Sequence, residues 1–160
     1  MLSQIEAIRE NRAVLLEQLE GLTTEQLNQI VKGFNNNIVW NLGHMITVQQ
    51  GICYKSAGLP MLIGDDFWHR FRPGSVPQGI INADEIASIK QLLIITLDQL
   101  ETDYKKQIFQ HYNPWVTRHG VEVASIDDGI KFLGFHEGLH SGIIAALCRR
   151  TTVGKSDLPL

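Results

Sequence analysis

The stretch ADEIASIKQLLIITLDQLETDYKKQI, residues 83–108, carries the clearest periodic pattern in the chain and decides the fold class. Its apolar side chains recur every three or four residues, and this spacing places them on one stripe of an α-helix. The stripe consists of Ile86, Ile89, Leu93, Leu97, Leu100, Tyr104 and Ile108. The pattern therefore predicts a long amphipathic helix with one face in a protein core.

Three further windows show the same spacing, at residues 2–19, 37–56 and 125–150. Ser125 is a favourable N-cap for the last window, and Thr24 is predicted to cap a short helical turn after the first. Strand-like alternation is limited to the brief segment GVEVAS. Four long helices without competing strands predict an all-α four-helix bundle.

Two of the predicted connections are long. Residues 59–82, rich in proline and glycine, separate the second and third helices, and a segment containing HYNPWVTRHG separates the third and fourth. Irregular segments of this length within a compact domain are often functional. We expect a single domain over residues 1–150 and a C-terminal tail at 151–160.

Composition limits the classes of function. The chain has 160 residues, of which 44% are apolar and 19% are charged, with a net charge of -3. These values are typical of a globular domain with a real core. Because the basic residues are scattered, a nucleic-acid surface is not expected. The longest apolar run, LLIIT, is too short to span a membrane.

The N-terminal and cysteine patterns favour a cytoplasmic location. Charged residues at Glu6, Arg9 and Glu10 interrupt the segment where a signal peptide would need an apolar run. Cys53 and Cys148 lie in apolar helical contexts and form no C-x-x-C motif, so we expect two small buried side chains rather than a disulfide or a metal site.

The stretch FHEGLHSG, residues 135–142, carries the strongest functional signal. His136 and His140 are four residues apart, so they project from one face of the fourth predicted helix. That face is otherwise apolar, which places both imidazoles at core positions. His44, on the second predicted helix, also points inward by its spacing from Asn41 and Val48.

Buried imidazoles need partners for their donor and acceptor nitrogens. A divalent metal would satisfy all three histidines at once, and Zn²⁺ commonly accepts such a set with one position left open. Ni²⁺, Fe²⁺ and Mn²⁺ also suit imidazole ligands. Spacing alone does not select His44 as the third ligand, and a hydrogen-bonded pair of histidines without metal remains an alternative.

Two better-known motifs overlap this stretch. In a zinc-protease helix, Glu137 would be the general base, but the further ligand is missing because Ile143 and Ala146 stand where a Gly and a His would be needed. A di-iron helix would use Glu137 with His140, but the chain has no second E-x-x-H. Glu137 is therefore expected to be a solvated or interface charge, or a partner of a ligating imidazole, as Asn41 could also be.

The remaining histidines and several aromatic residues receive weaker predictions. The histidines outside the cluster are expected on the surface: His69, His111 and His119. The aromatic side chains are expected to anchor the core and loops, with some forming a wall over the histidines: Trp40, Phe67, Trp68, Phe71 and Trp115.

With these residues in view, the chain resembles the DinB-like, YfiT-like superfamily of metal-dependent four-helix bundles, in the branch called DinB-2. The resemblance rests on NIVWNLGHM at 37–45, FWHRFRPGS at 67–75 and FHEGLHSG at 135–142. It implies an up-down-down-up bundle, a homodimer, and a metal held by the histidines of NLGH and HEGLH. In this chain those are His44, His136 and His140. Members often carry a Gln where this chain has Ile143.

The resemblance also suggests chemistry. Characterised relatives include bacillithiol S-transferases and a mycothiol-dependent isomerase, in which a metal would lower the pKa of a cosubstrate thiol. We therefore expect a metal-dependent enzyme that uses a low-molecular-weight thiol or water on a small-molecule substrate, as a transferase or a hydrolase. The alternative is a non-catalytic ligand- or partner-binding bundle with a structural or incidental metal. No catalytic residue is assigned.

Overall fold

The computed structural model describes residues 1–152 of the chain. Four long helices form the body: α1 (Leu2–Gln18), α3 (Ile38–Gln50), α5 (Ala83–Lys105) and α6 (Ile126–Thr152). Two short helices, α2 (Thr24–Asn28) and α4 (Asp65–Phe71), lie in the connections, together with a small antiparallel hairpin of β1 (Trp115–Val116) and β2 (Glu122–Val123). The all-α prediction is confirmed.

The four long helices enclose a common core. Helices α1 and α3 each pack against both α5 and α6. The fully buried apolar side chains come from all four helices, among them Ile5, Leu42, Leu93 and Leu133. Helix α3 is buried along its whole length, which explains why its sequence is apolar on nearly every side.

Helix ends follow local hydrogen bonding. Thr23, and not the predicted Thr24, caps α2, because its side chain accepts from the Gln26 amide while the Gln26 side chain accepts from the Thr23 amide. Ser125 caps α6 as predicted, since its hydroxyl accepts from the Asp128 amide. Helix α5 ends before the predicted Ile108 because Gln107 adopts a left-handed conformation, with φ of 55°.

Two features depart from the predicted pattern of helices. The segment 59–82 was expected to be irregular, but it contains α4, whose first turn carries Asp65 and Asp66 and whose last residue, Phe71, is buried. The acidic residues at its N-terminus and the buried ring of Phe71 stabilise α4. This helix is too short to produce a recognisable periodic pattern in the sequence. The end of α3 widens into a π-helical turn, Gly51–Lys55.

The predicted domain end and tail are only partly within the described chain. Helix α6 continues to Thr152, two residues past the predicted end at 150. The rest of the predicted tail, residues 153–160, lies outside the described residues. Within residues 1–152, none of the helices combines the length and the apolar character that a membrane crossing requires.

Candidate metal centre

Three histidines from two helices meet inside the bundle. His44 comes from α3, and His136 and His140 come from successive turns of α6. One nitrogen from each ring lies within 4.8 Å of the others. The ring centroids are 5.2 Å apart for His44 and His136, 4.8 Å for His44 and His140, and 4.4 Å for the α6 pair. The predicted cluster is therefore present and is compatible with a metal-binding site.

The orientation of His44 is fixed from two sides. Its Nδ1 donates a hydrogen bond to the Phe71 carbonyl at 2.7 Å, and its ring stacks on Trp40 with centroids 4.6 Å apart. A carbonyl can only accept, so the proton lies on Nδ1 and the lone pair lies on Nε2. Helix α4, which the sequence did not predict, thus sets the tautomer of one candidate ligand.

Gly43 makes this contact possible. A Cβ at position 43 would lie 2.5 Å from the ring of Phe71, closer than real side chains approach. Only a glycine allows α4 to come near enough for the Phe71 carbonyl to reach His44. In the sequence NLGH, the glycine is therefore needed for the packing of α4, and the histidine is a candidate metal ligand.

His140 is oriented by Asn41, as the sequence suggested. Its Nδ1 is 2.8 Å from the Asn41 side-chain oxygen, and the Asn41 side-chain nitrogen donates to the Asn37 carbonyl at 2.7 Å. That second bond fixes which end of the amide carries the oxygen. His140 must then donate from Nδ1, which leaves its Nε2 lone pair available.

His136 has no such partner. Its Nδ1 is buried and makes no hydrogen bond, one of few such side-chain atoms among the described residues. An unpaired buried polar atom is costly unless another group satisfies it. A metal among the three imidazoles would bind one nitrogen of this otherwise unpartnered ring, and the all-nitrogen donor set fits a divalent cation.

The electrostatic surroundings keep the cluster neutral. Burial lowers the pKa of His44 below its usual value, against the opposing effect of the Phe71 carbonyl. Burial, followed by the neighbouring imidazoles, lowers the pKa of His136 to about 2, and burial with His44 lowers the pKa of His140 to about 4. At neutral pH all three rings therefore keep a free lone pair, the form that binds metal.

Glu137, between the two α6 histidines, was predicted to be a solvated or interface charge, but it lies in the interior of the bundle. It is 1% exposed and pairs with Arg12, which is 0% exposed, through bonds of 3.0 Å to Nε and 2.7 Å to Nη2. Both carboxylate oxygens face the guanidinium rather than a histidine. Glu137 can be buried because an ion pair with α1 compensates its charge, so it is neither a partner of an imidazole nor a protease-type base.

The Arg12 guanidinium also binds the rest of the bundle. Its Nη1 donates to the Leu93 carbonyl at 2.6 Å and to the Gln49 side chain at 3.0 Å. Gln49 in turn donates to the Thr96 carbonyl at 2.7 Å. One buried network therefore links α1, α3, α5 and α6 next to the histidines.

A cleft of about 1030 Å³ opens onto the three histidines. Aromatic side chains line much of it, including Trp40, Trp68 and Trp115, which confirms that some predicted loop aromatics form a wall. Its exposed rim carries Lys55 and Arg118, which sequence patterns did not single out. These two residues reach the cleft from segments that are far apart in the sequence, so no local motif predicts that they lie together.

Most of the remaining predictions for single residues agree with the structure. His69, His111 and His119 are all exposed, as expected. Cys53 is buried as predicted, whereas Cys148 is only half-buried, and neither forms a disulfide within the described residues. Within the part of the chain that the structure describes, the group of potential metal ligands holds the three histidines and no carboxylate, which disfavours a di-iron site.

A helical bundle with a buried three-histidine cluster beneath an open cleft defines a class of candidate metal-binding proteins. Comparison with family profiles identifies the particular family: the DinB superfamily profile matches residues 7–144, nearly the whole described chain. The chain belongs to the DinB superfamily. A comparison with curated proteins gives no match.

Proposed function

We propose that this chain is a metal-dependent enzyme in which His44, His136 and His140 hold a divalent cation and the cleft receives a small-molecule substrate. The observation that carries the proposal is the convergence of three imidazole nitrogens within 4.8 Å at the buried end of a cleft of about 1030 Å³. Three imidazoles suit Zn²⁺ and leave room for an external ligand. Ni²⁺, Fe²⁺ and Mn²⁺ accept the same donors.

The nucleophile is proposed to enter from outside the protein. Burial raises the pKa of Cys53 to about 12 and also raises the pKa of Cys148, and neither thiol lines the cleft. When bound, a divalent cation supplies Lewis acidity that lowers the pKa of a thiol or water beside it. Among residues 1–152, the cleft lining contains no carboxylate that could serve as a general base instead.

Because the family that the chain resembles includes thiol-dependent transferases, we propose that the external nucleophile is a thiol and that the reaction is a transfer. In such a reaction the thiol sulfur forms a bond to an electrophilic carbon of the substrate. The bond from that carbon to its leaving group breaks, the leaving group takes the electron pair, and the thiol proton passes to solvent. Trp115 and Phe132, packed edge to face at 5.6 Å, offer an apolar wall for the body of the electrophile.

Elemental analysis tests the metal site. Purified wild-type protein is expected to hold close to one equivalent of a divalent metal, and the His136→Ala, His140→Ala double variant is expected to hold none. His119→Ala is the matched control, because His119 is an exposed histidine of the same cleft. If the wild-type protein takes up no metal even after Zn²⁺ or Ni²⁺ is added, the proposal is wrong.

The thiol step is tested separately. Protein loaded with Co²⁺ is titrated with N-acetylcysteine, and near-ultraviolet absorbance reports contact between sulfur and the metal. A new absorbance band that is absent from the double variant supports the transferase. Full metal occupancy with no spectral response to the thiol would instead favour water chemistry or the non-catalytic binding bundle. The homodimer and the cytoplasmic location stay predictions, and sedimentation analysis tests the first of them.

A further inference from the structure

The cleft differs in charge from the rest of the protein. The chain as a whole carries more acidic than basic residues, 17 against 14. The cleft lining formed by the described residues reverses this balance, because it contains Lys55 and Arg118 and neither Asp nor Glu. Composition therefore does not explain the positive charge, which results from the way distant segments assemble around the histidines.

Lys55 is held at the cleft by the π-helical turn Gly51–Lys55. This turn is closed by the Ser56 amide, which donates to the Gly51 carbonyl at 3.0 Å. The ammonium of Lys55 lies 4.3 Å from the ring centroid of Trp68, another residue of the cleft wall. Cation–π contact of this kind positions the charge without neutralising it.

Arg118 reaches the cleft from the connection between β1 and β2, on a different segment of the chain. Arg118 lines the same cleft as His44 and His136, so its charge acts on a group bound in that cleft. Arg118 is itself exposed and accessible to a ligand in the cleft.

Neither Lys55 nor Arg118 has an acidic partner in the described part of the chain. Pairing of exposed cations varies over residues 1–151: Lys131 pairs with Asp128 and Lys105 pairs with Glu101, whereas no salt bridge involves Lys32 or Lys106. Among residues 1–151, no salt bridge involves Lys55 or Arg118. Two unpaired cations beside apolar walls form a complementary surface for an anionic group attached to an apolar body.

We infer that Lys55 and Arg118 select small anionic molecules, so that the substrate or cosubstrate of this cleft carries a carboxylate or phosphate on an apolar body. The inference rests on the proposed function in taking the cleft as the substrate site. It also names two residues that would determine which ligands bind, whether or not the metal is present.

A matched pair of probes tests the inference. Calorimetry measures the binding of 3-phenylpropanoate and of its neutral analogue 3-phenylpropanamide to the purified protein, before and after treatment with a chelator. The carboxylate is expected to bind about fivefold to tenfold more tightly than the amide, since each exposed charge contact contributes modestly. The preference should persist after chelation and shrink as ionic strength rises.

Variants locate the effect. In Lys55→Met with Arg118→Gln, the ratio of the two affinities is expected to fall close to one, and each single variant should give an intermediate ratio. Lys106→Gln, which removes an exposed cation outside the cleft, should keep the wild-type ratio. Displacement of the carboxylate by excess inorganic phosphate would show that both anions are accepted, whereas no displacement would restrict the ligand to carboxylates.

Three results would overturn the inference: equal affinity for the amide and the carboxylate, no binding of either probe, or a preference that survives the double substitution. These outcomes are independent of the metal analysis. If the wild-type protein holds metal but binds both probes equally, the proposed function stands and the anion selectivity is wrong. If the protein takes up no metal but still prefers the carboxylate, the anion selectivity stands and the proposed function is wrong.

Discussion

Replacing Glu137 with Gln distinguishes a structural carboxylate from a catalytic one. Glu137 lies inside H-E-x-x-H, where a protease would use it as a base, but in this bundle its two oxygens are 3.0 and 2.7 Å from Arg12. The substitution keeps the shape of the side chain and removes its charge. It also turns an acceptor oxygen into an NH₂ group, which faces the donors of the guanidinium.

The expected loss of stability is large. Arg12 is fully buried, so without Glu137 its charge is left among neutral acceptors such as the Leu93 carbonyl and Gln49. Removing one partner of a buried ion pair typically costs about 3–5 kcal/mol. Because a domain of this size is usually stable by about 5–15 kcal/mol, Glu137→Gln should lose a substantial share of the total free energy of unfolding.

Urea denaturation followed by circular dichroism measures this loss. The control Glu101→Gln removes an outer carboxylate that contacts Arg9 and Lys105, and it should leave the midpoint nearly unchanged. The double variant Arg12→Met, Glu137→Leu should be more stable than Glu137→Gln alone, because no unpaired charge stays buried. A free energy of unfolding for Glu137→Gln within about 1 kcal/mol of wild type would refute this account of the ion pair.

Three further predictions concern the histidine cluster and its supports. Asn41→Ala should weaken Zn²⁺ binding about 10- to 100-fold in a calorimetric titration, because His140 loses the acceptor that orients it; unchanged affinity would show that the contact has no role in binding. Gly43→Ala should lower both thermal stability and metal content, because the new methyl group displaces Phe71. The control Gly134→Ala, at a helical position with open space, should be neutral or should stabilise the protein by up to about 1 kcal/mol. Similar losses in both variants would contradict the packing argument. Chelator-treated protein should lose stability as pH falls from 6.5 to about 4, by up to about 1.4 kcal/mol per pH unit for His140 alone. The sign follows because the unfolded chain binds a proton at the ordinary pKa of 6.5 and the folded chain binds it only near the lowered pKa of about 4; stability that is constant over this range would be inconsistent with a buried neutral imidazole.

The sequence alone determined the features that repeat along one helix. The stripe from Ile86 to Leu100 fixed α5, and the spacing of His136 and His140 placed both imidazoles on one face of α6. Asn41 could be suspected as a support because it shares a helix with His44, one turn away. Such inferences succeed because helical geometry relates residues three and four apart without reference to the rest of the fold.

Only the tertiary structure decided which distant groups meet. The Phe71 carbonyl reaches His44 from a helix that periodicity does not reveal, and Arg12 pairs with Glu137 across 125 positions of sequence. A charged residue in a sequence is expected at the surface, because burying a charge without a partner is costly. The local sequence does not show which distant residue will be the partner that compensates this cost. The same holds for the cleft, whose charge depends on how the π-helical turn that carries Lys55 and the hairpin that carries Arg118 are placed in the fold.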